Sequence, residues 1–204
     1  MDNYLLAYYQ AIEDGTIVVG RWIRLFYKYI IDGLQKQSFF FDQKKASKAI
    51  RYIETFCHHS EGRSDTIKLE LWQKAFVSVV FGILDGAGNR QFREVILVVA
   101  RKNGKTLFAS AIISYCTFMD GEYAAKTYCV PPKLDQADLV YQAFWQRDRN
   151  EPALACRIKP RQSDLSVEAS NPSTKKIAFN AKKSDGFNSP LTTGDEIPSI
   201  HGDQ

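Results

Sequence analysis

The sequence predicts an α/β fold in which a helical N-terminal region, residues 1–70, precedes a domain built on a mainly parallel sheet, residues 71–204. Three observations carry it. In the first third of the chain, apolar residues recur at the three-and-four spacing of helix faces. From Phe92 that spacing gives way to Val95-Ile96-Leu97-Val98-Val99-Ala100, a β-branched run of the kind buried on both faces of a parallel sheet. A loop and then a helical pattern follow this run, and the strand-then-helix order recurs further along. Repeated units of that order build parallel sheets.

In the helical region, Trp22, Leu25, Phe26, Tyr29 and Ile30 define one packing stripe, and Ala46, Ala49, Ile50, Ile53, Phe56 and Cys57 a second. Asp42 sits where the second helix needs an N-cap, while Gly15, Gly33 and Ser60-Glu61-Gly62 supply stops. A third helical stretch around Leu71, Trp72, Phe76, Val79 and Val80 ends in Asp85-Gly86-Ala87-Gly88-Asn89. Helix before and strand after is the wrong order for a phosphate cradle, so these glycines predict a turn.

In the α/β part, the strand at 95–100 runs into Arg101-Lys102-Asn103-Gly104-Lys105-Thr106, then Leu107, Phe108, Ala111, Ile112 and Tyr115 at helical spacing. A second strand is expected from Ala125 to Val130, followed by Pro131-Pro132 and a helix carrying Ala137, Val140, Tyr141, Phe144 and Trp145. Leu165-Ser166-Val167-Glu168 and Lys175-Lys176-Ile177-Ala178-Phe179 flank the turn-forming Ser170-Asn171-Pro172-Ser173, which predicts a hairpin. Leu191-Thr192-Thr193-Gly194 then leads into Asp195-Glu196.

Composition narrows the class. With 45% apolar residues in 204, the chain can fill a core, and no run approaches the roughly 20 apolar residues of a membrane span. The opening Met1-Asp2-Asn3-Tyr4 lacks the basic region of a secretory signal, so a cytoplasmic protein is expected. Cys57, Cys116, Cys129 and Cys156 have neither Cys-x-x-Cys spacing nor a His pair at ligand distance, which reads as buried free thiols instead of a zinc site. The net charge of +4 is modest, but positive charge concentrates between Arg157 and Lys183. That stretch could meet phosphates or form an ordinary solvated surface.

The loop after the first strand carries the chemistry. A nucleoside triphosphate needs backbone N–H groups around its phosphates, an ammonium between the outer two and a hydroxyl on Mg²⁺. Gly104, Lys105 and Thr106 at a helix start supply those parts, with Lys102 and Asn103 completing the loop. Val99 stands where the usual first glycine falls, so the strict P-loop pattern is not met, while the strand before and helix after fit a P-loop NTPase-type fold. Hydrolysis also needs a carboxylate on Mg²⁺ and a second to orient water. The adjacent Asp195 and Glu196 fit those roles, against a reading as an acidic pair in a surface turn. Arg101 could stabilise charge at the γ-phosphate or be a solvated loop cation. On residues alone, Gln73 reads as a helix-surface glutamine.

Together, the loop 101–106, the stretch Tyr128-Cys129-Val130-Pro131-Pro132-Lys133-Leu134-Asp135-Gln136-Ala137 and Phe179-Asn180-Ala181-Lys182-Lys183-Ser184-Asp185-Gly186-Phe187-Asn188 resemble the large terminase subunit of tailed phages. Phe39-Phe40-Phe41-Asp42, Arg51 to Cys57 and Leu71-Trp72-Gln73 are similar to the same family's lead-in. In that family the loop commonly lacks its first glycine and begins with arginine. The resemblance implies ATP and Mg²⁺ as cofactors, with Lys105 on phosphate and Thr106 and Asp195 on the metal. It implies Arg101 at the γ-phosphate, Glu196 as catalytic carboxylate and Gln73 in the adenine-reading segment. It further implies that hydrolysis drives double-stranded phage DNA into a procapsid, with the small terminase subunit, the portal protein and copies of the chain itself as partners in the host cytoplasm.

Gly194 and the two threonines depart from the more apolar strand usual before the acidic pair. Family members also continue through the rest of the ATPase sheet, a coupling segment and a nuclease domain, whereas this sequence ends eight residues after Glu196. The expectation is therefore an incomplete sheet, no nuclease domain and weak or absent turnover by the isolated chain. Two other readings stand beside the ATPase module: a non-catalytic remnant that binds nucleotide or partner subunits, and a helicase-like nucleic-acid-dependent ATPase. The Lys182-Lys183-Ser184-Asp185-Gly186-Phe187-Asn188 segment favours terminase over the latter.

Overall fold

The computed structural model describes residues 3–59, 65–100, 102–120, 126–130, 158–160, 164–167, 173–176 and 191–194. Backbone packing divides the chain into two compact units, Met1–Glu54 with Lys68–Val98, and Thr55–Ile67 with Val99–Gln204.

The first unit is helical. Helices α1 (Tyr4–Glu13), α2 (Arg21–Gln35), α3 (Gln43–Phe56) and α4 (Leu71–Gly82) accompany a small antiparallel pair, β1 (Phe40–Phe41) and β2 (Ile83–Leu84). Leu5, Tyr8 and Ile12 of α1, Tyr27 and Ile30 of α2, and Ala75, Val79 and Ile83 form its core with Phe39. Tyr8 and Tyr27 meet edge to face at 4.9 Å, and burial raises both phenols above their ordinary pKa, keeping them protonated.

Several sequence-level signals act as anticipated. The Asp42 carboxylate accepts from the backbone N–H groups of Lys44 and Lys45 at 2.9 and 3.0 Å, capping α3 with a contribution of about 1 kcal/mol. Gly15, at φ 79°, follows the end of α1 in the left-handed conformation typical of a helix stop. Asp85 accepts from the N–H groups of Ala87 and Asn89, making 85–89 a turn, and these bonds hold its carboxyl below its usual pKa. Three elements are tied at one point: Lys74 of α4 lies 3.1 Å from the Glu54 carboxylate and 4.9 Å above the Tyr4 ring, and Glu54 also accepts from the Leu69 N–H.

Three expectations are corrected. The stripe Trp22, Leu25, Phe26 and Tyr29 faces outward, Trp22 being 78% exposed, and of the five residues read as a packing stripe only Ile30 is buried. α2 turns Tyr27, Ile30 and Gly33 inward because α1 supplies Tyr8 against Tyr27. Gly33 does not stop a helix; it lies within α2, where a Cβ would overlap three atoms of the Phe39 ring. Val95–Ala100 forms no strand, and Val98 is 90% exposed. A β-branched run becomes a buried strand only with neighbours on its edges and faces, and these residues pair with no strand among the described residues.

The second unit contains α5 (Lys105–Phe118) and the strands β3 (Lys126–Val130), β4 (Ile158–Pro160), β5 (Asp164–Val167), β6 (Ser173–Lys176) and β7 (Leu191–Gly194), in the order β4-β5-β6-β3-β7. β3 runs parallel to both β6 and β7, whereas β4–β5 and β5–β6 are antiparallel, so the described sheet is mixed instead of mainly parallel. β5 and β6 pair antiparallel, as the predicted hairpin requires, but β6 begins at Ser173, which was read as turn, and residues 177–179 of the predicted second arm lie outside the described residues; β3 falls where a strand was predicted. The predicted helix with Ala137 to Trp145 and the stop at Ser60-Glu61-Gly62 lie outside the described residues. No helix among the described residues is long and apolar enough to cross a membrane.

Candidate functional site

The loop 102–106 enters α5 through two left-handed residues, Lys102 at φ 67° and Gly104 at φ 69°. For lysine that conformation is uncommon, and at Gly104 it needs no Cβ. Gly104 occupies the N-cap position of α5 without any side-chain cap, and its carbonyl accepts from the Phe108 N–H at 2.9 Å. Asn103 braces the turn by donating from its side-chain amide to the Ala100 carbonyl at 3.3 Å.

The open side of this turn has the backbone geometry that could receive an anion. Among the described residues nothing lies within 4 Å of a Cβ built on Gly104, and the positive end of the α5 dipole faces the same region. Lys105 and Thr106 begin the helix and are part-buried. Behind them α5 buries Phe108, Ala111, Ile113, Tyr115 and Cys116, with Ser110, Ser114 and Thr117 buried among them, so its first turn is held firmly. Ser110 and Thr117 satisfy their hydroxyls by donating to the Leu107 and Ile113 carbonyls.

α5 lies against β3 and β7. Register places Gly194, the last residue of β7, opposite Val130, the last of β3, so the two parallel strands end level. Asp195 and Glu196 follow Gly194 in the chain; these two and Arg101 lie outside the described residues. Loop residues Lys102, Asn103, Gly104, Lys105 and Thr106 are therefore brought together, while the carboxylate pair is fixed only in sequence to the end of β7.

Gln73 belongs to the first unit. Its side-chain oxygen accepts from the Glu70 N–H at 2.9 Å while the Glu70 carboxylate accepts from the Gln73 N–H, a reciprocal capping box at the start of α4. Sequence reading missed this role for Glu70, although a carboxylate three residues before a glutamine at the head of an apolar helix was the available signal.

Gly104→Ala isolates the cost of the turn. With no described atom within 4 Å of the Cβ, the expected penalty is the conformational one, a loss of about 1–2 kcal/mol in urea denaturation. An unchanged midpoint would show that residue 104 leaves the left-handed region.

Among solved structures the chain is similar to the large terminase of bacteriophage HK97, with a TM-score of 0.63 and 24% identity over 74% of this chain and 31% of that one. At that identity the likeness is one of fold, and the chain spans less than a third of that protein's length. No curated protein matches the sequence. The family model of the terminase large subunit ATPase domain matches residues 71–204, well over half of the chain, and the chain therefore belongs to that family. Membership in an ATPase-domain family makes nucleotide use the general context of the loop before α5.

Proposed function

We propose that residues 71–204 form part of a P-loop-type ATPase domain, preceded by a helical region at 1–70, that binds ATP with Mg²⁺ at the loop before α5 and powers packaging of double-stranded phage DNA. The observation that carries the reading is the left-handed turn at Lys102 and Gly104 opening onto an uncapped helix N-terminus. The parallel trio β6-β3-β7 with α5 against it is the part of the sheet that suits this fold.

Loop N–H groups and Lys105 hold the phosphates, and the Thr106 hydroxyl and Asp195 carboxylate ligate the metal. Bound Mg²⁺ supplies neutralisation of phosphate charge. Arg101 sits at the γ-phosphate and Glu196 orients water for attack. Gln73, its oxygen engaged by Glu70, offers its side-chain N–H groups to an adenine acceptor. The partners are DNA, the small terminase subunit, the portal of the procapsid and further copies of the chain, in the host cytoplasm.

Titration calorimetry with ATP in Mg²⁺, beside steady-state hydrolysis, tests this. Saturable ATP binding is expected in the parent and in Glu196→Gln, with any turnover abolished in the variant. A parent that binds no ATP overturns the reading.

A further inference from the structure

We propose that the outward face of α2 is a self-association surface, on which a second copy of this chain docks its own α2 antiparallel about a two-fold axis. Within the helical unit the two sides of α2 are distinct. Tyr27, Ile30 and Gly33 turn inward, Tyr27 against Tyr8 of α1 and Gly33 against the Phe39 ring. Trp22, Leu25, Phe26 and Tyr29 share another arc at helix-face spacing and are 78%, 45%, 38% and 55% exposed. Phe92 and Phe39 brace this arc from behind, their rings 6.1 Å from Phe26 and 5.9 Å from Tyr29, so the exposed side chains form a fixed surface.

The area suits a second copy. Taking about 200 Å² for a fully exposed large side chain, the four leave roughly 400 Å² bare, a patch of the size that marks an interaction site. Val18, 93% exposed just before the helix, extends it. Two such faces bring roughly 1,000 Å² together, and the stems of the flanking charged residues carry the total to the roughly 1,200 Å² at which specific interfaces begin.

The pattern is also self-complementary. In a two-fold contact, residue i meets j and j meets i. With the axis between Leu25 and Phe26, Trp22 meets Tyr29 of the second copy and Leu25 meets Phe26, so every apolar position faces another. Arg21 and Asp32 lie eleven residues apart, about three turns, and so on one flank of α2. Antiparallel docking brings like flanks together and sets Arg21 within about 3 Å, along the axis, of Asp32 of the second copy. Arg21 is exposed, its guanidinium 5.8 Å from the centre of the Trp22 ring, and Asp32 is half-buried beside Lys28 at 3.3 Å. The opposite charges therefore pair at both ends of the apolar contact. A purely acidic partner would find Asp32 opposed to it, which favours a second copy.

The test is sedimentation equilibrium of the full chain between about 1 and 200 μM, with ATP affinity measured alongside. The parent is expected to pass from 23.2 kDa to twice that mass and no further. Trp22→Ala/Tyr29→Ala is expected to weaken dimerisation at least about 100-fold, since each change falls on both copies and a central aromatic alone is worth about 10-fold or more. Arg21→Glu and Asp32→Arg each set like charges together and are expected to weaken it about 10-fold, whereas Arg21→Glu/Asp32→Arg is expected to return within about threefold of the parent. An acid in the first turn and a base in the last both favour the helix, so a lost dimer in these variants is not a lost α2. The proposal does not rest on the nucleotide reading: the variants are expected to keep the parent's ATP affinity, and a parent that dimerises through Trp22 without binding ATP upholds it. A parent that stays at 23.2 kDa, growth past the dimer, or a dimer unchanged in Trp22→Ala/Tyr29→Ala overturns it. So does a monomeric parent that binds vesicles of anionic phospholipid, which would make the arc a membrane-binding face. Should the aromatic double variant fail to fold, a charge exchange that does not restore the dimer overturns the proposal equally.

Discussion

Gly33→Ala is expected to destabilise the protein by about 1–3 kcal/mol, the cost of forcing a methyl group into a packed core. Alanine is the better helix former by roughly 1 kcal/mol, so propensity alone predicts the opposite sign. Geometry decides the matter. The added Cβ would overlap three atoms of the Phe39 ring, and Phe39 is 2% exposed, with Tyr29 packed at 5.9 Å between ring centroids. The ring has little room to retreat. In a Phe39→Leu background the obstacle shrinks, and Gly33→Ala should become neutral or stabilising by up to about 1 kcal/mol. Urea midpoints of the four proteins check this, and a Gly33→Ala that stabilises the parent would show that Phe39 does not pack on α2.

That glycine illustrates what periodicity reveals and what it leaves open. α3 was legible because its apolar residues occupy one arc and Asp42 supplies its cap. α2 carries two arcs, Trp22-Leu25-Phe26-Tyr29 and Tyr27-Ile30-Leu34. Spacing alone detects both without saying which meets α1. The turn into α5 was half legible: Gly104 is a residue suited to a left-handed φ, whereas nothing in lysine's chemistry points to that conformation at Lys102. For 95–100, β-branched composition states a preference for burial that only a partner strand can satisfy, and the described residues provide none. Residue types mark the loop as a candidate phosphate site, whereas the capping role of Gln73 was not legible because its bond to Glu70 depends on where α4 begins.

Lys105→Ala is expected to weaken ATP binding about 10- to 100-fold, the range set by one or two lost charge-assisted hydrogen bonds. The loss should depend on phosphate number. If Lys105 lies between the outer phosphates, the variant loses most affinity for ATP, less for ADP and little for AMP, whose base and sugar contacts remain. A general loss of fold would weaken all three nucleotides alike and lower the urea midpoint. Lys105 is part-buried at the first position of α5, so removing its charge need not disturb the buried side of the helix formed by Phe108, Ala111 and Tyr115. Lys105→Arg keeps the charge but replaces a compact ammonium by a planar fork, and is expected to recover only part of the binding. Calorimetric titration of the three nucleotides against parent and both variants distinguishes these outcomes. An ATP affinity unchanged in Lys105→Ala would remove Lys105 from the phosphate site, and with it the reason for locating the nucleotide at the head of α5.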